Sequence, residues 1–152
     1  MLSGIYAPTS GTAKIFGLDL GTQLKEIRPL IGFCPQHDIL YSDLTIYEHL
    51  DLVASIKGFP KKLLNTEINR ISTYVGLDKD LDKLSKNLSG GMKRRLSVAM
   101  SFIGDTKIII MDEPTSGLDP LNRRLLWELI QKYKIGRSII LTTHFMDGKF
   151  HN

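Results

Sequence analysis

Ile108-Ile109-Ile110-Met111-Asp112-Glu113 is the stretch on which the fold turns. Four consecutive apolar residues lack the period-two alternation of a half-wetted strand. They fit a strand covered on both faces, as in parallel sheets. Two carboxylates follow at its C-terminal end, the edge at which open α/β sheets bind ligands. Successive strand residues point to opposite sides, so Asp112 can hold a hydrated Mg²⁺ while Glu113 faces a water. Mg²⁺ needs few carboxylates when phosphates and waters complete its shell, and a Glu beside the water can orient or deprotonate it. The same pattern also describes a buried strand that ends in two solvated acids, so the neighbouring segments decide.

Downstream, Pro114-Thr115-Ser116-Gly117-Leu118-Asp119-Pro120 forms a tight polar loop. Asp119 is placed as an N-cap, with Pro120 in the first helical turn. The helix it opens carries Leu125, Leu126, Leu129 and Ile130 on its apolar side, and Gly136 closes it. A second strand is expected at Ser138–Thr142, with Thr142-Thr143-His144 at its end. His144 there can reach a phosphate or water from the same sheet edge as Asp112, or simply be exposed.

Upstream, Leu88-Ser89-Gly90-Gly91-Met92 precedes Lys93-Arg94-Arg95. Ser89 is a good N-cap, and the two glycines leave backbone amides open at the positive end of a helix, a ready phosphate site. A flexible turn before an amphipathic helix gives the same letters. The basic triplet reads as a solvated helix face rather than a phosphate clamp. The helix is expected to run to about Ile103, and the central strand to occupy residues 107–111.

Further upstream, Thr45-Ile46-Tyr47-Glu48 is a capping box. Ile68, Ile71 and Val75 recur at helical spacing, with Gly76 as a stop. Residues 1–36 read as short β elements broken by turns: a turn cluster at Ala7-Pro8-Thr9-Ser10-Gly11, β character over residues 12–16, a turn at Gly17-Leu18-Asp19, and a strand over residues 30–33 ended by Pro35. Gln36 follows that strand, and its neutral amide can position a water or bind a metal. Strands alternating with helices predict a parallel sheet covered on both faces.

Composition narrows the class. The chain has 152 residues, 42% of them hydrophobic and 24% charged, which fits one folded domain rather than a disordered chain. No apolar run approaches the roughly 18 residues needed to cross a bilayer, and residues 1–11 do not read as a secretory leader. A single cysteine, Cys34, excludes an intrachain disulfide, no Cys/His spacing marks a zinc site, and a reducing compartment fits. A net charge of +4 without a patterned basic patch does not argue for nucleic acid.

Taken in this order, the five strand-end and helix-start features resemble an ATP-binding cassette domain over nearly the whole chain. Leu88–Met92 resembles the signature motif, Ile108–Glu113 Walker B, Ser116–Asp119 the D-loop, His144 the switch histidine and Gln36 the Q-loop. Cys34-Pro35-Gln36-His37-Asp38, Leu88-Ser89-Gly90-Gly91-Met92-Lys93-Arg94 and Trp127-Glu128-Leu129 resemble the A subfamily of ABC transporters, and Met92 with Trp127 resembles the first of its two cassettes. The resemblance implies an α/β fold: a P-loop NTPase-like (RecA-like) parallel sheet core with an inserted helical subdomain, truncated at both ends. It divides the single partial domain into residues 1–44 with the Q-loop, 45–88 as helical subdomain, and 89–152 with signature helix, Walker B, D-loop and H-loop. It also implies roles. Asp112, with Gln36, would hold Mg²⁺, and Glu113 would be the catalytic carboxylate. Gln36 would also couple the site to the membrane domain, and His144 would contact the γ-phosphate. Ser89, Gly90 and Gly91 would touch ATP bound by an opposing cassette, with Asp119 at the dimer seam. The implied partners are ATP, a second nucleotide-binding domain and transmembrane domains carrying a lipid-type substrate. The implied location is the cytoplasmic face of a membrane, through the full-length protein.

The sequence departs from this pattern at both ends. No Gly-x-x-x-x-Gly-Lys-Ser/Thr occurs, and in the family that loop lies just before the segment matching Met1-Leu2-Ser3-Gly4-Ile5-Tyr6. Beyond Asp147, Gly148–Asn152 leaves the pattern. The expectation is a partial domain, with an apolar sheet face uncovered, that neither binds ATP tightly nor hydrolyses it alone. Two alternatives stand beside it: a non-catalytic module that pairs with an intact cassette, and a soluble ABC-type ATPase.

Overall fold

The computed structural model describes residues 9–143. The expectations for residues 1–8 and 144–152, His144 among them, lie outside the described residues. A hairpin pairs β1 (Lys14–Ile15) with β2 (Leu18–Asp19), antiparallel. Then come a one-turn helix α1 (Leu24–Ile27), a 3₁₀ turn (Arg28–Leu30) and β3 (Ile31–Cys34). Helices α2 (Ile46–Ile56), α3 (Lys61–Tyr74) and α4 (Gly90–Phe102) lead to β4 (Ile108–Asp112). Helix α5 (Pro120–Tyr133) then crosses to β5 (Ser138–Thr142).

The sheet is parallel, in the order β3-β4-β5. Its register pairs Cys34 with Met111 and Asp112 with Thr142, so all three strands end at one edge. The long connections between neighbouring strands are what parallel pairing demands.

Local sequence accounts for most boundaries. At α2 both halves of the capping box form: Glu48 N donates to Thr45 Oγ1 at 3.2 Å, and Thr45 N donates to Glu48 Oε2 at 2.7 Å. Ser89 accepts from Met92 N at 3.3 Å, and Asp119 Oδ1 accepts from Asn122 N at 3.0 Å. Helix α3 stops before Gly76, whose φ of 64° suits a residue without Cβ.

The N-terminal part differs from expectation. The turn falls on Phe16 and Gly17, both at positive φ (50° and 82°), as a two-residue hairpin loop requires. Leu18 and Asp19 are therefore the return strand rather than the turn. The sequence pattern does not announce helix α1, since one turn carries too little periodicity to register. The following strand starts one residue later than its pattern indicates, because Arg28-Pro29-Leu30 closes a 3₁₀ turn.

Helix α4 covers one sheet face. Gly32 permits it, since a Cβ there would lie 1.8 Å from the Ser101 carbonyl oxygen. Cys34, Ile109 and Met111 share one core with Leu96, Ala99, Phe102 and Ile103. Burying a side chain the size of Phe102 contributes roughly 2–3 kcal/mol. On the opposite face, Ile15, Leu20, Ile27 and Ile31 form a second cluster, with Ile108 and Ile110 against it. That cover is incomplete: Phe33 and Ile140, which flank Ile110 in register, are each 41% exposed. Among the described residues the sheet thus has cover on both faces, complete on the α4 side and partial on the other. Leu125, placed by periodicity on the apolar side of α5, is 45% exposed, while Leu126, Leu129 and Ile130 are buried.

Candidate functional site

The parallel register brings the C-terminal ends of β3, β4 and β5, with the residues that follow them, together. The first carries Gln36, the second Asp112 and Glu113, and the third Thr142 and Thr143. Thr142 Oγ1 donates to Asp112 Oδ1 at 2.5 Å, which fixes the orientation of that carboxylate at the edge. Glu113 begins the turn out of the sheet. Its amide donates to the Thr142 carbonyl at 3.0 Å, and its carbonyl accepts from Ser116 N at 3.0 Å. Its φ is 44°, uncommon for a residue with a side chain, and the residue is buried. Strain of this kind persists where surrounding bonds over-determine the backbone, and it clusters at functional sites.

The residue that over-determines it is Arg94 of α4, which is 3% exposed. Its Nε donates to the Pro114 carbonyl at 2.7 Å. Nη2 donates to the Asp112 and Glu113 carbonyls at 3.2 and 3.0 Å. Nη1 donates to the Pro35 and Gln36 carbonyls at 2.7 and 3.1 Å and to Asp38 Oδ1 at 3.1 Å. One guanidinium therefore stitches the Gln36 loop to the Asp112–Pro114 turn. This corrects the reading of the basic triplet as a solvated face. Arg94 is buried because five strand-end carbonyls converge on it, and Arg95 donates to the Val75 and Gly76 carbonyls at 2.9 and 3.1 Å.

A second cluster forms where α4 and α5 begin. A Cβ on Gly91 would meet the Asn122 side chain at 3.2 Å, so the two helix starts lie side by side. Ser89, Gly90 and Asp119 are exposed there. Asp119 uses both carboxylate oxygens locally: Oδ1 takes the Asn122 amide, and Oδ2 takes Asn122 Nδ2 at 2.5 Å. Those bonds hold its carboxyl below the ordinary range, so it stays ionised. Asn122 was not singled out from the sequence. Its position three residues after the cap is the signal that places it here.

The donor set can be tested against Mg²⁺ and a nucleotide. Among the described residues no group of three or more His, Cys, Asp or Glu comes together. A dedicated protein cage is therefore absent from them, and what the edge offers is an oriented Asp112 carboxylate beside the loop that carries Gln36. That set fits an ion whose shell is completed by phosphate and water. A glycine-rich loop with its lysine does not occur in the 152 residues. Among the described residues no helix is long and apolar enough to cross a membrane.

The chain is similar to known proteins. A family model described as ABC transporter matches residues 1–116. The chain is 48% identical to ABC transporter A family member 6 of Dictyostelium discoideum over 97% of its own length and 9% of that protein's. It is 44% identical to the human phospholipid-transporting ATPase ABCA3, covering 97% of the chain and 9% of the relative. It is 46% identical to human ATP-binding cassette sub-family A member 2, covering 97% and 6%. The chain thus spans less than a tenth of the length of these relatives. A solved structure titled as an ATP binding subunit of an ABC transporter superposes with a TM-score of 0.82 at 29% identity, over 95% of this chain and 61% of that one. The α/β fold is that of P-loop NTPases, and the chain belongs to the ABC transporter family, as nucleotide-binding-domain sequence of its A subfamily.

Proposed function

We propose that these residues supply the acid edge and the signature surface of a nucleotide-binding domain that couples ATP binding and hydrolysis to transport, with a lipid-type substrate handled by the membrane part of a longer protein. The observation that carries this reading is the convergence, through Arg94, of the Gln36 loop on Asp112 and Glu113 at one sheet edge. Asp112, oriented by Thr142, would hold Mg²⁺ together with Gln36. The ion, when bound, would neutralise phosphate charge as phosphoryl transfer requires. Glu113 would orient or deprotonate the water, and its fixed backbone would keep that carboxylate in one place. His144 is assigned to the γ-phosphate by its motif. Ser89, Gly90 and Gly91 would present amides and a hydroxyl to ATP held by an opposing cassette, beside Asp119. Residues 1–44, 45–88 and 89–152 are taken as core with Q-loop, helical subdomain and signature-to-H-loop part. The resemblance of Met92 and Trp127 to a first cassette belongs to the same proposal.

The phosphate cradle is not among the 152 residues. The chain by itself is therefore expected to show no Mg²⁺-ATP turnover. Within a whole cassette, Glu113→Gln is expected to lower kcat by about 100-fold or more. Turnover by the isolated chain that Glu113→Gln abolishes would contradict the first expectation, and a whole cassette indifferent to Glu113→Gln would contradict the second. The exposed helix starts at Ser89 and Asp119 favour one further reading, a non-catalytic module offering that surface to an intact cassette. It predicts nucleotide-dependent association with such a cassette and no turnover on this side.

A further inference from the structure

Helices α3 and α5 leave a cleft of about 790 Å³ between them, floored by Gly76 and Arg95, away from the strand-end site. We propose that this cleft docks an acidic, amphipathic helix of a protein partner. The proposal is independent of the nucleotide reading. Its walls repeat at helical spacing: Thr66, Asn69 and Thr73 on α3, and Leu125, Leu129 and Lys132 on α5. Rows three and four residues apart make the ridges and grooves into which another helix packs.

The charge in the cleft is left unbalanced by the fold. Glu67 is committed to Arg70 at 2.8 Å, and Glu128 to Arg124 at 3.0 Å. Among the described residues neither Arg95 nor Lys132 has a carboxylate within ion-pair distance. Arg95 meets only the Val75 and Gly76 carbonyls through Nη1, and its buried Nε has no hydrogen-bond partner. A buried donor left unmade is costly, so the guanidinium is under-satisfied by its own fold. The Lys132 ammonium rests 4.6 Å from the Tyr74 ring centroid.

Apolar surface continues past the core on the same lip. Leu125 is 45% exposed and Tyr74 40% exposed. Leucine and tyrosine beside two unneutralised cations complement a helix that places apolar residues and carboxylates on one face. The hydroxyls and amide of α3 can serve the polar flank of such a helix.

The test uses the full 152-residue chain and a fluorescein-labelled peptide of about 16 residues, some four helical turns. The peptide carries Leu and Glu on one face, and a control carries Lys in place of Glu. Binding is followed by fluorescence anisotropy at two salt concentrations. The expected result is saturable binding of the acidic peptide, weakened by salt. Lys132→Glu and Leu125→Glu, both at the open lip, should each weaken it by about tenfold with an unchanged circular dichroism spectrum. Failure of the acidic peptide to bind, equal binding of the basic control, or variants that bind like the parent overturns the proposal. Vesicles of phosphatidylcholine with phosphatidylglycerol provide the remaining arm. Vesicle binding that both variants abolish, without peptide binding, overturns it in favour of a membrane-facing patch.

Discussion

Replacing Arg94 by Met gives the sharpest perturbation of the site, because almost nothing but hydrogen bonds is lost. The side chain is 4% exposed, and its nitrogens have six acceptors within 2.7 to 3.2 Å. Five are backbone carbonyls of segments that leave the sheet, and the sixth is the Asp38 carboxylate. A methionine fills much of the volume but offers no donor. Bonds to a charged group contribute about 1.5–3 kcal/mol each in favourable cases. They do not add here, because five N–H groups are shared among six acceptors and the buried guanidinium carries its own desolvation cost. Removing one partner from a buried charged network typically costs about 3–5 kcal/mol. Against a domain stability of about 5–15 kcal/mol, that is a large fraction of the total. With a urea slope of about 2 kcal/mol per M, the unfolding midpoint should fall by roughly 2 M. Arg94→Lys keeps a charge and three donors but loses the planar fork, so it should recover about half of the loss. Faster hydrogen exchange at the Ser116 amide, which closes the Glu113 turn, is the local reporter. A midpoint within about 0.5 M of the parent for Arg94→Met would refute the reasoning, since water would then be satisfying the five carbonyls.

Three further outcomes are expected. Thr45→Ala removes the acceptor for Glu48 N and should cost about 1 kcal/mol in a denaturant titration. The bonds from Thr45 lower the Glu48 pKa, so the stabilisation from Glu48 is fully present above 4.5 and is lost as pH falls through the lowered value. Gly32→Ala should cost about 3 kcal/mol or more, read as a fall in Tm, because its Cβ would meet the Ser101 carbonyl backbone rather than a movable side chain. Burial pushes the Lys57 ammonium from 10.5 down to about 8, so between those values the unfolded chain binds more protons and stability should rise with pH by roughly 3 kcal/mol. Lys57→Met should abolish that rise, and an unchanged slope would contradict the burial argument.

What the sequence made legible follows from what local chemistry encodes. The apolar runs at residues 108–111 and 138–142 are strands, and Thr45, Ser89 and Asp119 cap the helices their patterns mark. These features depend on a few neighbouring residues, so a one-dimensional reading finds them. Arg94 was hidden because its partners come from residues 35–38 and 112–114, far away along the chain. A signal was nevertheless present. Ser97, Val98 and Ser101 follow Arg94 three, four and seven residues on, and all four are buried. A stripe of small residues marks a helix face pressed against backbone, and an arginine in that stripe has to find carbonyls. The left-handed backbone of Glu113 left no trace in the sequence. Glycine is the usual residue at such a position, and its absence shows only after the turn is built.

The placement of Arg94 also ties the two clusters together mechanically. Helix α4 begins at the cap Ser89, and Arg94 follows five residues later, roughly 7.5 Å along the axis. A helix interior is stiff over that distance, so the exposed start at Ser89–Gly91 and the strand-end clamp behave as one body. Shifting the Gln36 loop while α4 stays in place would break the bonds from Arg94 to the Pro35 and Gln36 carbonyls. Shifting α4 while the Glu113 turn stays in place would break those to Asp112, Glu113 and Pro114. Either break leaves a buried cation short of acceptors, which is costly. Only moving the loop, the helix and the Glu113 turn together breaks none of these bonds. A displacement of the Pro35 and Gln36 carbonyls would therefore act on α4 through Arg94, beside the direct packing of β3 on that helix. Arg94→Met should uncouple them, so that hydrogen exchange around residues 35–38 rises without a matching rise at the first turn of α4. Equal rises at both places would show that the coupling runs through the core rather than through Arg94.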